Sequence, residues 1–193
     1  MIAKAKRDLR VRLRRARQEL SADRREQAQS EINRQLVSWP LDLASATIGV
    51  YAAIGSEVSL AIAVKHWLEA GHQVAWPLVR EQGRLSFHLA RPSDLVAGTM
   101  GIPEPQPDLP TVATELFDLV VVPGVGFNCF GLRLGQGGGY YDRFLAQGNL
   151  RAVTLGVAFT VQIVPDLPVE KTDQCVDAVM TEKGVARAGV WSL

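Results

Sequence analysis

Between Arg133 and Arg143 the chain reads RLGQGGGYYDR, with glycine at 135, 137, 138 and 139 and then two tyrosines, an aspartate and an arginine. Glycine takes left-handed and alternating backbone conformations cheaply, so successive N–H groups can be turned into one concavity that holds phosphate. A helix starting at once, near Tyr140, adds unpaired N–H groups and a positive dipole end. Arg133 and Arg143 flank the loop and suit phosphate oxygens. Asp142 is a hard oxygen ligand suited to magnesium on the same phosphates. No Walker P-loop is present, because no Gly-Lys-Ser/Thr follows, and Tyr140 stands where a dinucleotide fingerprint needs its last glycine. The plainer reading is a glycine-rich turn at a crowded strand-to-helix junction, with Asp142 a solvated first-turn acid. That reading gives no reason for Arg133, Arg143 and Asp142 to cluster there.

A second concentration of charge lies at the start. Lys4, Lys6, Arg7, Arg10, Arg12, Arg14, Arg15 and Arg17 share one segment with a single acid, Asp8. Three readings stand: a solvated helix face, a face that brings Lys6 and Arg10, four residues apart, to a polyphosphate, or a contact with nucleic acid. A short basic helix without interleaved aromatics supports the last only weakly. His66, His72 and His88 stand apart from any cysteine or carboxylate cluster, which argues against zinc. Cys129 and Cys175 make neither a disulfide framework nor a metal-ligand spacing. No G-x-S-x-G or other activated nucleophile is present. What remains is positioning groups and charge stabilisers, as phosphoryl transfer requires.

The elements that must hold these groups follow from composition and periodicity. The chain has 193 residues, 47% hydrophobic and 21% charged, with net charge +1. These values fit a single domain over 1–193 with a continuous core, and give the whole molecule no electrostatic pull on nucleic acid. No apolar run approaches the roughly 20 residues of a membrane span, so the cytosol is the expected compartment and a monomer the default state. Leu9, Leu13, Ala16 and Leu20 mark one helix face, and Ser21 caps a second helix that buries Ala28, Ile32 and Leu36. Segments 47–51, 73–79, 85–90, 118–124, 152–159 and 177–181 read as strands, with helices over 59–71 and from about Tyr140 to Ala146. The proline-rich stretch 101–110 reads as an extended surface excursion. Alternation of this kind predicts an α/β fold with a mostly parallel sheet covered by helices on both faces, preceded by N-terminal helices. In such sheets ligands gather beyond the carboxyl ends of the strands, where the glycine loop falls.

The stretch VVVPGVGFNCFGLRLGQGGGYYDRFL (120–145) resembles the signature of the 5-formyltetrahydrofolate cyclo-ligase family, also called 5,10-methenyltetrahydrofolate synthetases. KRDLR (6–10), RQELS (17–21), YAAIGSEVSL (51–60), GIPEP (101–105) and VEKTDQCVDAVMTE (169–182) match further landmarks in order, so the resemblance covers nearly the whole chain. It implies a three-layer α/β/α sandwich and an ATP- and Mg2+-dependent conversion of 5-formyltetrahydrofolate to 5,10-methenyltetrahydrofolate, releasing ADP and phosphate. It also implies small-molecule substrates rather than nucleic acid or membrane. By the same resemblance Lys6, Arg7, Asp8, Leu9 and Arg10, with Arg133, Leu134, Gly135, Gln136, Gly137, Gly138, Gly139, Tyr140 and Tyr141, form the ATP site. Arg133, Tyr140 and Asp142 are the expected catalytic residues, and Asp142 and Asp173 the magnesium ligands. Ile54, Glu57 and Ser59, with Gly137, Gly138, Gly139 and Tyr140, are expected to meet the folate. Which ligand Tyr140 and Tyr141 touch stays open at this level. Three places depart from the family pattern: Gln136, where tyrosine or a basic residue is common, Ser59, where an acid is frequent, and FNCFGL (127–132), which lacks the charged residues often found just before the core. The alternatives carried forward are a binding or regulatory protein without turnover and an ATP-using enzyme acting on another pterin or formamide.

Overall fold

The computed structural model describes residues 1–41, 45–98, 101–187 and 190–191. Helices α1 (Ile2–Gln18) and α2 (Ala22–Val37) open the chain. Between them Ser21 caps α2, its hydroxyl accepting from the Arg24 N–H at 3.4 Å. Then come β1 (Thr47–Gly49), α3 (Ala61–Glu69), β2 (Gln73–Val79) and β3 (Leu85–Leu89). Three short strands follow, β4 (Leu95–Ala97), β5 (Pro103–Pro105) and β6 (Thr111–Val112), and lead to β7 (Leu119–Pro123). Beyond it lie β8 (Gly126–Phe127), β9 (Arg133–Leu134) and α4 (Tyr140–Leu145). The chain then adds β10 (Val153–Val157), β11 (Ala178–Thr181), β12 (Gly184–Arg187) and β13 (Val190–Trp191).

Among the described residues nine strands form one sheet in the order β13-β12-β11-β10-β7-β1-β2-β3-β6. The five from β11 to β2 run parallel, and antiparallel pairs close both edges. The sequence reading missed β6, β12 and β13 of this sheet; β6 and β13, with two residues each, are too short to show a period. Pro103–Pro105 is extended as expected, but Glu104 and Pro105 are buried and not on the surface, and the strand pairs antiparallel with β4 in a separate ribbon. In a two-stranded pairing one side of each strand carries no ladder bonds, and proline can stand there.

In β7, Leu119 through Val122 are fully buried because the sheet is covered on both sides. On one side Ile32 and Leu36 of α2 and Val64 and Trp67 of α3 pack with Ile48, Leu119, Val121 and Leu155. On the other, Val120 and Val122 meet Phe87, Phe117 and Phe144. The Phe87 and Phe144 rings lie 4.7 Å apart, and Phe117 stands edge-on to Phe87 at 5.3 Å. The three-layer α/β/α sandwich is therefore present but uneven, since α4, with six residues, is the helix of the second face.

Helix α1 belongs to neither layer. It packs beside the short helical turn Thr160–Gln162, and Leu13, with Leu9 behind it, joins a satellite cluster of Val125, Leu134 and Val164. Its buried line runs Lys6, Leu13, Arg17, so the inward face mixes cations with apolar residues. Leu13 is buried and Leu9, Ala16 and Leu20 half-buried, as their shared face predicts, but Lys6 and Arg17 are buried with them. The surface α1 covers is largely polar, and it takes buried cations because it supplies carboxylates to them.

Candidate active site at the glycine loop

After β7 the chain turns through Gly124 into the β8–β9 ribbon, which returns it to the carboxyl edge of the sheet. The glycine loop starts there. Gly137 and Gly139 have φ of +111° and +67°, values that an L side chain resists, and Gly139 is the N-cap of α4. The loop is the wall between two clefts, with Arg133, Gly135, Gly138, Gly139 and Asp142 facing both.

The first cleft is mainly apolar. Tyr51, Ile54, Val79, Pro123, Tyr140 and Tyr141 contribute to it, with the carboxylates of Glu57 and Glu104 among them. Tyr51, Val79 and Pro123 lie at or just past the ends of β1, β2 and β7, where a parallel sheet presents its ligands. Glu57 is buried. Its Oε2 accepts from the Ile54 N–H at 3.1 Å, its Oε1 accepts from Gln136 Nε2 at 2.7 Å, and Arg17 Nη1 stands 3.7 Å from Oε1. Arg17 also donates to Ser56 Oγ at 2.9 Å. Burial pulls the Arg17 guanidinium below its ordinary pKa, and the Glu57 charge offsets part of that. The buried Tyr141 hydroxyl has no hydrogen-bond partner among the described residues. Burial pushes that phenol well above its ordinary pKa, so it is a neutral donor held in the apolar cleft.

The second cleft is polar. Lys6 Nζ donates to Glu170 Oε2 at 2.7 Å and to both oxygens of Asp173 at 2.7 and 2.6 Å. Burial alone would lower the lysine, but hydrogen bonds and charge from Asp173 and Glu170 hold it above its ordinary value. Asp173 sits in a turn closed by its own N–H to the Glu170 carbonyl, and Oδ2 accepts in return from the Glu170 N–H. Arg10 donates through Nε to the Gly135 carbonyl at 2.8 Å. Burial and the neighbouring Arg14 lower its guanidinium pKa. Arg133 is buried and pairs with Asp142 Oδ1 at 2.8 Å, which also accepts from the Gln174 N–H at 3.3 Å. Arg143 fixes the loop by donating to the Gly138 and Gly83 carbonyls at 2.7 and 2.9 Å, and stacks over Tyr140.

Lys6, Arg10, Leu134, Gly137 and Asp173 therefore gather at the polar cleft, and Ile54, Glu57, Tyr140 and Tyr141 at the apolar one. Four expected residues line neither. Arg7 and Asp8 are exposed, on a part of α1 turned away from the loop, and Leu9 packs on the satellite cluster. Ser59 spends its groups locally: its N–H binds Gln29, its carbonyl accepts from Asn33, and its hydroxyl accepts from the Ala61 N–H at the start of α3. Gln136, expected at the nucleotide, lines the apolar cleft instead. Glu170, Arg17, Tyr51 and Glu104 were not singled out from the sequence. All four do fall inside motifs quoted there, but nothing local marks them as belonging to the site.

Fold and loop together define an α/β protein that brings a glycine-rich loop, an acidic pair and an apolar slot to one sheet edge. The chain belongs to the 5-formyltetrahydrofolate cyclo-ligase family, whose pattern it matches over residues 2–182. The Escherichia coli K12 5-formyltetrahydrofolate cyclo-ligase is 29% identical over 178 residues, covering 90% of this chain and 98% of that protein. The mitochondrial 5-formyltetrahydrofolate cyclo-ligase of Arabidopsis thaliana is 36% identical over 130 residues, 58% of this chain and about half, 47%, of that protein's length. The solution structure of Aquifex aeolicus 5,10-methenyltetrahydrofolate synthetase superposes with a TM-score of 0.83 at 32% identity, covering 97% of this chain and 95% of the other.

Proposed function

We propose that the protein is a 5-formyltetrahydrofolate cyclo-ligase that converts 5-formyltetrahydrofolate and ATP to 5,10-methenyltetrahydrofolate, ADP and phosphate, with Mg2+, as a cytoplasmic monomer. The observation that carries this is the meeting of a polar and an apolar cleft across one glycine loop, with Arg133 and Asp142 facing both. A reaction joining a polyphosphate to an apolar bicyclic acceptor needs that adjacency.

In this reading Lys6 and Arg10 take the polyphosphate, and the loop N–H groups and the α4 N-terminus cradle its transferring end. Tyr51, Ile54, Tyr140 and Tyr141 line the slot for the pterin, with Glu57 accepting from its N–H groups. The formyl oxygen attacks the γ-phosphorus and ADP leaves. N10 then adds to the activated formyl carbon and loses its proton, and the C–O bond breaks as phosphate departs. No enzyme nucleophile is required. The buried Arg133 is held by Asp142 at the shared wall, where negative charge gathers on the transferring group.

The acidic pair also fits a dication. Asp142 and Asp173 face one cleft, and among the described residues no group of three or more His, Cys, Asp or Glu side chains is placed to hold a metal. A dication there would complete its shell with phosphate oxygens and water, as magnesium prefers. When bound, magnesium would neutralise phosphate charge. Lys6, which now occupies both Asp173 oxygens, would then move its ammonium towards the phosphates.

The test is to mix the purified protein with 5-formyltetrahydrofolate and Mg-ATP and follow methenyl absorbance in the near ultraviolet alongside ADP. Equal amounts of both, absent without metal, are expected. ADP without methenyl product would point to another pterin or formamide as acceptor, and neither signal to a binding role without turnover.

A further inference from the structure

Gln136 is the one loop side chain that reaches from the glycine loop to the buried carboxylate of the apolar cleft. Its Nε2 donates to Glu57 Oε1 at 2.7 Å, and its Oε1 accepts from Arg14 Nη2. Arg14 therefore fixes which way the amide faces: with the carbonyl turned to the guanidinium, only the NH2 can meet Glu57. Arg14 belongs to a row on α1. Arg10 holds the Gly135 carbonyl, Arg14 the Gln136 side chain, and Arg17 stands against Glu57 and holds Ser56. Spacings of four and three put these three cations on one helix face. Gln136 itself is exposed and Glu57 buried, so the amide lies over the carboxylate from the solvent side.

We propose that Gln136 is a positioning residue for the folate rather than a nucleotide contact. Held by Arg14, it sets the orientation of Glu57 and so the affinity of the apolar cleft for the pterin donors. Arg14 acts on the folate only through Gln136. The proposal rests on the cyclo-ligase reading of the two clefts. Each carboxylate oxygen keeps a second lone-pair direction after accepting one bond, so Glu57 remains able to receive the ligand while fixed. Gln136 in place of a basic residue then has a local reason: a neutral residue can give a hydrogen to Glu57 and take one from Arg14, whereas a cationic side chain could not accept from the guanidinium.

The experiment compares wild type with Gln136→Met, Arg14→Ala and the double variant. It reads KM for 5-formyltetrahydrofolate and for ATP, kcat, and the folate Kd by calorimetry without nucleotide. Methionine keeps the length and removes both hydrogen bonds. Gln136→Met should raise the folate KM and Kd about tenfold, the scale for losing a hydrogen bond to a charged group, while ATP KM moves less than about twofold. Arg14→Ala should weaken folate less, and should add nothing in the Gln136→Met background, because coupled residues are not additive. A folate Kd unchanged in Gln136→Met, an equal rise in ATP KM, or additive single effects would each overturn the proposal. If wild type binds the folate but makes no methenyl product, the functional reading fails while the Kd comparison still decides the role of Gln136. If wild type does not bind the folate, both fall.

Discussion

Asp142 combines two features, a cleft-facing acid and an ion pair with a buried arginine, and the sequence presented the first alone. As an acid at the start of α4 it suits a metal, and on that view Asp142→Asn should remove turnover and leave folding nearly untouched. The structure adds the pair with Arg133, whose side chain is 3% exposed against 21% for Asp142. An amide in that place can still accept from Arg133 through its oxygen, but it no longer balances the buried charge. Asp142→Asn is therefore expected to lower turnover by at least about 100-fold and to cost about 1–3 kcal/mol of stability. Steady-state assays and thermal melts check this together, and full activity would remove Asp142 from the metal role. Lys6 gives a second residue-scale prediction. Its pKa in the fold is raised: burial opposes the ammonium, and Asp173 and Glu170 more than compensate. A group of this sign stabilises the fold at all pH below its unfolded pKa, about 10.4, and loses that contribution as pH rises through the higher folded value. As pH rises above about 10.4 the melting midpoint should thus fall more steeply in wild type than in Lys6→Met. Equal slopes would mean that the cluster contributes nothing.

At the scale of elements, α4 is too short to be stable alone and is set by its ends. Gly139 caps it in the left-handed region. Gly139→Ala should cost about 1–2 kcal/mol, since left-handed backbone opposes a Cβ. The new methyl would also come within 2.8 Å of Arg143 Nη1, a flexible side chain that can shift. Because the same turn aims the loop N–H groups, Mg-ATP affinity by calorimetry should fall with stability. A variant with wild-type affinity would separate the phosphate cradle from this turn. Helix α1 shows how far periodicity reaches. Its existence, its length and the kinship of Lys6 with Arg10 were readable, and Leu13 is buried as expected. That Arg17 is buried and Arg14 bonded to the loop was not readable, because a helical repeat reports only which residues share a face, and the nature of the facing surface comes from residues far along the chain.

At the scale of the whole molecule, the two faces of the sheet have different tasks. The face under α2 and α3 is core, while the face under α4 is core and site at once, since Phe144 lies one turn from Tyr140 and Tyr141 and packs on Phe87. Phe144→Ala should cost about 3–5 kcal/mol, and so should Trp67→Ala beneath α3. Their effects on binding should differ. Phe144→Ala is expected to weaken both folate and Mg-ATP in calorimetry on the folded protein, and Trp67→Ala to leave both near wild type. Equal losses of affinity would show that the site depends on global stability alone.

The alternation of strands and helices, the capped break at Ser21, the apolar run of β7 and the glycine loop before a helix were all legible from residue order, because each depends on neighbours within a turn or two. The gathering of Lys6, Arg10, Asp142 and Asp173, and the sharing of Gly137, Gly138 and Gly139 between two sites, were legible only through the likeness of motifs, and which cleft Gln136 and Tyr141 face was not legible at all. Tyr140 and Tyr141 face the apolar cleft, whose other walls come from distant strands, while Ser59 turns to Gln29 and Asn33 of α2 and Gln136 turns to Glu57, partners 26 to 79 residues away in the chain. Local sequence sets which backbone a segment can adopt; tertiary packing sets what stands opposite it, and the chemistry of a site is made by what stands opposite.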